Sequence, residues 1–264
     1  MVQDLKMMYG RLKRWSNTTD YYLESVNGKW AFTKKIIKVA IVLHIAFILC
    51  MGSLLSYYAS HNPHTTPLMV YRLHVDGYNV KPVKFIPFKQ IPDDIKKMVV
   101  SIEDYKFYRH NGIDIEAIKR AIVINYKVGY RMYGASTITQ QLSRTLFLLP
   151  FKSVVRKYLE FIIALEMEMI LDKDRILELY LNYCELGKGI FGIKNASYYY
   201  FGKNIYKLST DEKSRMLAIL ANPILFSPYD FKKSKLITNR YYILKFRYYT
   251  YNKYRNMLQY AYHH

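Results

Sequence analysis

IIKVAIVLHIAFILCMGSLLSYY, residues 36–58, is the stretch that decides the architecture of this chain. From Val39 to Tyr58 it is nearly all apolar, with His44 the only ionisable group before its tyrosines. At 1.5 Å per residue, a helix of about 20 residues reaches across the ~30 Å hydrocarbon core of a bilayer. Lys29, Lys34, Lys35 and Lys38 crowd its N-terminal side, and Tyr57 and Tyr58 close its far end. Positive-inside bias and an interfacial aromatic pair orient the N-terminus toward the cytoplasm and the rest outside. A cleaved signal peptide fits poorly, because a long polar segment precedes the run and the apolar stretch is too long. A buried helix of a soluble core fits less well still.

Outward from that segment the charge is uneven. Of 264 residues, 40 are Lys or Arg and 20 are Asp or Glu, a formal net charge of +20. Residues 1–35 carry seven basic residues against three acids, and residues 229–264 carry eight against one. Both stretches suit anionic headgroups, where each basic residue is worth roughly 1 kcal/mol. Charge alone does not choose among nucleic acid, anionic lipid and phosphorylated substrates. The predicted topology does, since everything basic beyond residue 58 faces away from cytoplasmic nucleic acid. Half of the residues are hydrophobic and 28 are Tyr, which excludes a disordered polymer. Two cysteines, Cys50 in the apolar run and Cys184 far from it, give no disulfide framework.

Residues 59–66, SHNPHTTP, form a polar linker, and the alternation over 67–90, broken by Pro82 and Pro87, predicts a short strand or an extended lead-in. From Ile91 onward the patterns are helical. Pro92-Asp93-Asp94 marks a helix start, with proline in the first turn and acids at the positive end of the dipole. Helices are predicted over 92–108, 114–127, 137–147, 152–171, 173–183, 189–200, 210–220 and 236–260. The division is a cytoplasmic basic tail (1–35), a transmembrane helix (36–58), a linker and lead-in (59–84), a mainly α domain (85–228) and a basic, Tyr-rich C-terminal helix (229–264). No internal repeat is visible, which argues against a solenoid.

Three windows could carry chemistry. In SIEDYKFYRHNGID (101–114), a continuous helix puts Glu103, Phe107 and His110 on one face. A carboxylate beside an aromatic is partly desolvated and more basic, as a general base requires. The same window also reads as an exposed carboxylate paired with Lys106 or His110. In GASTITQQLSR (134–144), Thr137 and Gln140 match a capping box, and the amides of Gln140 and Gln141 suit sugar hydroxyls or phosphate oxygens. That window reads equally as a plain helix start. The third runs from Arg144 through Lys152, Arg156 and Lys157 to Glu160. Cations on one helical face around a carboxylate form either a diphosphate clamp or an ordinary solvated ion pair. Between them LFLLPF (146–151) is unusually apolar for a loop and suits insertion into a bilayer. The glycines of GKGIFG (187–192) follow no βαβ pattern, so close helix packing is the expectation rather than a dinucleotide site.

Taken in order, EDYKFYRHNGID, GASTITQQL, RKYLE, DRILELYLN, GKGIFG with YFGK, and Ala221-Asn222-Pro223 closely resemble glycosyltransferase family 51, the peptidoglycan transglycosylases, over roughly residues 85–228. No second catalytic domain follows, so the resemblance is to the monofunctional biosynthetic type. It implies a lysozyme-like helical fold and inverting transfer, in which a sugar 4-hydroxyl attacks the anomeric carbon of a growing chain and undecaprenyl diphosphate leaves. By matching position, Glu103 is implied as the base and Glu160 as the second carboxylate near the diphosphate. Ser136, Gln140, Gln141, Arg144, Lys152 and Arg156 are implied as substrate contacts, with a divalent cation, Mg²⁺ foremost, bound alongside the diphosphate. The metal ligands themselves are not readable. Implied partners are lipid II, the growing glycan, the cytoplasmic (inner) membrane and other cell-wall synthesis proteins. The chain departs from the family in carrying Arg144 where Lys is common and Lys152 where Arg is common, which moves the bidentate cation. A lytic glycan-cleaving enzyme of the same fold type and an inactive cell-wall scaffold are the alternative readings.

Overall fold

The computed structural model describes residues 2–129 and 134–246. Two compact bodies emerge, Met1–Cys50 and Met51–His264. Helix α1 (Val2–Tyr58) is unbroken. Its stretch Phe32–Tyr58 is long and apolar enough to cross a membrane. Within the first body Ile36, Ile41, Leu43 and Leu49 are exposed.

The second body is mainly helical. Its helices are α2 (Pro67–His74), α3 (Asp93–Glu103), α4 (Ile115–Val128), α5 (Ile138–Phe147), α6 (Val154–Ile170), α7 (Lys173–Tyr183), α8 (Ile193–Phe201), α9 (Thr210–Ala218) and α10, residues 235–246. Strands β1 (Glu185–Gly187) and β2 (Ile190–Phe191) pair antiparallel as the one small sheet among the described residues. Helix α5 packs against both α6 and α7, and Ile138, Leu142, Ile163, Met167, Ile176 and Leu177 are fully buried there.

Local chemistry explains most of the helix starts. The side chains of Thr66, Asp114, Ser153 and Asp172 each accept a hydrogen bond from a first-turn backbone N–H, and capping boxes open α5 (Thr137/Gln140) and α9 (Ser209/Glu212). The Thr66 cap corrects the extended reading of 67–90. With Pro67 in the first turn it starts a helix, and residues 77–87 that follow are neither helix nor strand. Helix α3 stops at Glu103 rather than running to 108, because Asp104 turns both carboxylate oxygens to partners outside the helix, described below. Helix α6 begins at Val154, leaving Lys152 ahead of the Ser153 cap. Residues 185–191 form the hairpin where a helix from 189 is expected. Gly189 (φ 75°) and Gly192 (φ 79°) turn the chain, and a Cβ on Gly192 would strike the carbonyl of Asn182. The glycines serve both the hairpin and close packing on helices, since Gly192 lies against the last turn of α7 and Gly187 against Tyr200 of α8. Of the helix expected over 236–260, residues 247–260 lie outside the described residues.

One face of α7 organises the lead-in. Glu178 accepts the backbone N–H of Phe88 at 2.5 Å, and Asn182 makes reciprocal bonds with the N–H (2.7 Å) and carbonyl (2.9 Å) of Ile86. The Arg175 guanidinium donates to the carbonyls of Tyr58 and His61. Spaced i, i+3 and i+7, these three side chains share one face and fix the entering chain to the helix that backs the candidate site.

Candidate active site

Glu103 is the last residue of α3, with a side chain only 8% exposed. The face it was expected to share with Phe107 and His110 does not exist, because the helix has ended and Phe107 lies in a separate single turn of 3-10 helix, Phe107–Arg109. Nor does Glu103 pair with Lys106 or His110. Lys106 pairs with Glu116, and the His110 Nε2 sits 2.9 Å from Asp104 Oδ2. Asp104 also accepts the N–H of Ile138 at 3.0 Å. One carboxylate therefore ties the end of α3 to the start of α5. That contact brings Glu103 opposite the first turn of α5.

From there hydrogen bonds that meet on Ser136, one at its carbonyl and one at its hydroxyl, link the two candidate carboxylates. Gln141 Nε2 donates to Glu103 Oε2 at 3.0 Å and, at 3.4 Å, to the carbonyl of Ser136. The Ser136 hydroxyl accepts from Lys157 Nζ at 3.0 Å, and the same ammonium donates to Glu160 Oε2 at 2.9 Å. Arg156 pairs with the other oxygen of Glu160, whose side chain is 2% exposed. A buried carboxylate is tolerable only with such partners, and here two cations from its own helix supply them. Tyr180 donates to Gln141 Oε1 at 2.9 Å, which leaves Gln141 Nε2 facing Glu103. Burial, and then the charge of Glu103, hold the Tyr180 phenol well above its ordinary pKa, so it stays a neutral donor.

The other expected residues occupy different positions. Gln140 is 1% exposed and its Oε1 accepts the N–H of Thr137, so it closes the cap beneath the site. Its Nε2 has no hydrogen-bond partner among the described residues. The half-buried Arg144 side chain makes no hydrogen bond or ion pair among the described residues, and its charge is felt at Tyr180 and Glu185. Lys152 is exposed and likewise unpaired among the described residues; standing outside α6, it does not share a helical face with Arg156. Nearby, Leu149, Phe151, Val154, Val155 and Tyr158 expose apolar surface, whereas Leu146 of the same apolar run is buried.

Two cations of the site are not among the substrate contacts that the resemblance implies: Lys157, which the third window already contains, and Arg240, which no window contains. Lys157 lies i, i+3 from Glu160, a spacing that signals it as plainly as Arg156. Arg240, on α10, pairs with Glu103 Oε1 from 137 positions away, and no local pattern points to it. No three His, Cys, Asp or Glu side chains converge among the described residues, and cations already neutralise both site carboxylates. This donor set does not fit a resident divalent ion.

The body is mostly helical and carries two cation-paired carboxylates linked through Gln141, Ser136 and Lys157, and the N-terminal apolar helix is long enough to cross a membrane. The transglycosylase family profile matches residues 73–246, and the chain belongs to that family. It is 35% identical over 191 residues to a biosynthetic peptidoglycan transglycosylase of Herminiimonas arsenicoxydans, covering 71% of this chain and 81% of the relative. A protein of the same name from Bdellovibrio bacteriovorus is 36% identical over 224 residues, covering 81% of this chain and 88% of the relative. Penicillin-binding protein 1A of Aquifex aeolicus is 37% identical over 161 residues, 61% of this chain and 22% of that longer protein. The chain is a peptidoglycan glycosyltransferase.

Proposed function

We propose that the enzyme polymerises lipid II by inverting transfer, with Glu103 as the base and Glu160 on the leaving-group side. The hydrogen bonds that link Glu103 through Gln141, Ser136 and Lys157 to Glu160 carry this reading. Glu103 takes the proton of the acceptor 4-hydroxyl as the new oxygen–carbon bond forms at the donor's anomeric carbon. The bond from that carbon to the diphosphate breaks, and its electron pair leaves with undecaprenyl diphosphate. Glu160 keeps Arg156 and Lys157 aligned, and these cations with Arg144 and Lys152 meet the charge that develops on the departing group. Two carboxylates on opposite sides of the reacting carbon suit inversion, by analogy with inverting hydrolases.

A divalent cation would arrive on the diphosphate, because phosphate oxygens and water suit Mg²⁺ without a protein cage. The lysines before the apolar helix favour a cytoplasmic N-terminus and a catalytic body outside the cytoplasmic membrane. The exposed apolar residues from Leu149 to Tyr158 would then rest against the lipid that delivers the substrate. Other cell-wall synthesis proteins remain candidate partners.

The test is lipid II polymerisation by the purified full chain, with and without Mg²⁺. Glu103→Gln should lower turnover by roughly 10²–10⁴-fold, the range of general-base catalysis, while lipid II binding persists. Near-normal turnover in that variant would refute the base assignment.

A further inference from the structure

Arg240 stands on α10 with a side chain 13% exposed. Its guanidinium reaches two helix ends at once. The Nε–H donates to the carbonyl of Ala218 at 3.0 Å, and a terminal N–H donates to Glu103 Oε1. Ala218 is the last residue of α9, and Glu103 is the last residue of α3. A helix C-terminus presents unpaired carbonyls and partial negative charge, so a carboxylate there is disfavoured by its own helix. A planar cation laid across both ends offsets that field, and its fork geometry fixes the carboxylate's direction.

The seat of this arginine is firm. Ile237, Tyr241 and Leu244, spaced i, i+4 and i+7, are buried along one stripe of α10. From the edge of that stripe the Tyr241 hydroxyl, and beside it Lys245 at 2.9 Å, both reach Asp211 in the first turn of α9. Arg240 thus projects from an element anchored at both its core face and its flank. With Oε1 held by Arg240 and Oε2 by Gln141, the Glu103 carboxylate has two tethers. A carboxylate has about four acceptor positions, so Oε2 still has room for a substrate hydroxyl.

We propose that Arg240 is a positioning residue for the reaction, fixing the Glu103 carboxylate toward the acceptor hydroxyl and making α10 part of the catalytic machinery. This inference rests on the reading of Glu103 as the base. The role is distinct from holding the fold together, since a staple between α9 and α10 needs only the bond to Ala218.

The experiment compares wild type, Arg240→Gln, Arg240→Lys and Glu103→Gln as full-length proteins, measuring lipid II polymerisation and thermal unfolding. Arg240→Gln should lower kcat by about 10²-fold, as small misplacements of a reacting group do, and leave KM within about twofold. Arg240→Lys should recover part of kcat, because its ammonium reaches Glu103 but cannot also grip Ala218 in the same plane. If Glu103→Gln is inactive and Arg240→Gln keeps wild-type kcat while its Tm falls, Arg240 is only a staple and the proposal is overturned, with the base reading intact. If Glu103→Gln turns over normally, the reading underneath both fails. Should Arg240→Gln not fold, Arg240→Lys decides: a lowered kcat at unchanged Tm supports the proposal, and wild-type kcat overturns it.

Discussion

Glu103 and Glu160 are both almost fully buried and both held by cations, but the cations arrive by different routes. Glu160 sits within α6 and is gripped by Arg156 and Lys157 of the same helix, four and three residues away. Glu103 sits at the end of α3 and is gripped by Gln141 from α5 and Arg240 from α10. The first arrangement assembles as soon as one helix forms. The second exists only when three helices have docked. The difference matches the proposed roles, because a carboxylate that steadies a cationic clamp needs partners that move with it. A base aimed at an incoming hydroxyl needs its direction set by the whole fold.

The largest expected break in this contrast is at Arg156. Arg156→Met removes one cation from a carboxylate that cannot turn to water and should destabilise the protein by about 3 kcal/mol, the low end for stranding a buried charge because Lys157 remains. Unfolding of the detergent-solubilised chain measures it. The double variant Arg156→Met/Glu160→Gln should recover much of the loss, since no buried charge is then left over. A single-variant loss no larger than a surface substitution would show that Lys157 alone satisfies Glu160.

The same contrast explains what is legible in the sequence. The pair Arg156–Glu160 is readable because helical spacing dictates it, and the capping box Thr137–Gln140 is readable because its two bonds are local. Pro92-Asp93-Asp94 gives the start of α3, but nothing local gives its end. Asp104 stops the helix by bonding His110 and the N–H of Ile138, the latter 34 residues on, so a periodic pattern runs past the true boundary. For the same reason the aromatic stripe drawn through Phe107 and His110 is not Glu103's surroundings. Gln140 shows the converse case. An amide beside the site reads as a substrate contact, while the cap turns it inward. Arg240 is invisible because its partner is chosen by the docking of α10, which no spacing rule encodes.

A smaller effect is expected at Thr137, which ties the two carboxylates' surroundings to a single helix start. Its hydroxyl accepts the N–H of Gln140 at 3.1 Å and donates to the carbonyl of Gly112 at 2.6 Å. Thr137→Ala should cost about 1 kcal/mol, the usual loss of an N-cap. Thr137→Ser keeps both bonds and should restore most of it. If alanine and serine unfold alike, the cap is not what holds α5 in place.

The smallest stability effect belongs to Lys152, and it sharpens the comparison from the other side. This lysine is exposed, stands outside α6 and has no ion pair among the described residues, so Lys152→Met should change stability by less than about 0.5 kcal/mol. Its proposed partner is the substrate's diphosphate, whose charge is largely present before the bond breaks, so an exposed, solvent-screened cation contributes mostly to ground-state binding and only a small part to the charge that develops on departure. KM for lipid II should therefore rise while kcat holds, with the difference shrinking as salt screens the wild-type contact. A fall in kcat at unchanged KM would give Lys152 a share in the transition state and join it to Arg156 and Lys157. Unaltered kinetics at every salt concentration would remove Lys152 from the diphosphate clamp altogether, leaving to it Arg144, whose side chain is unpaired among the described residues.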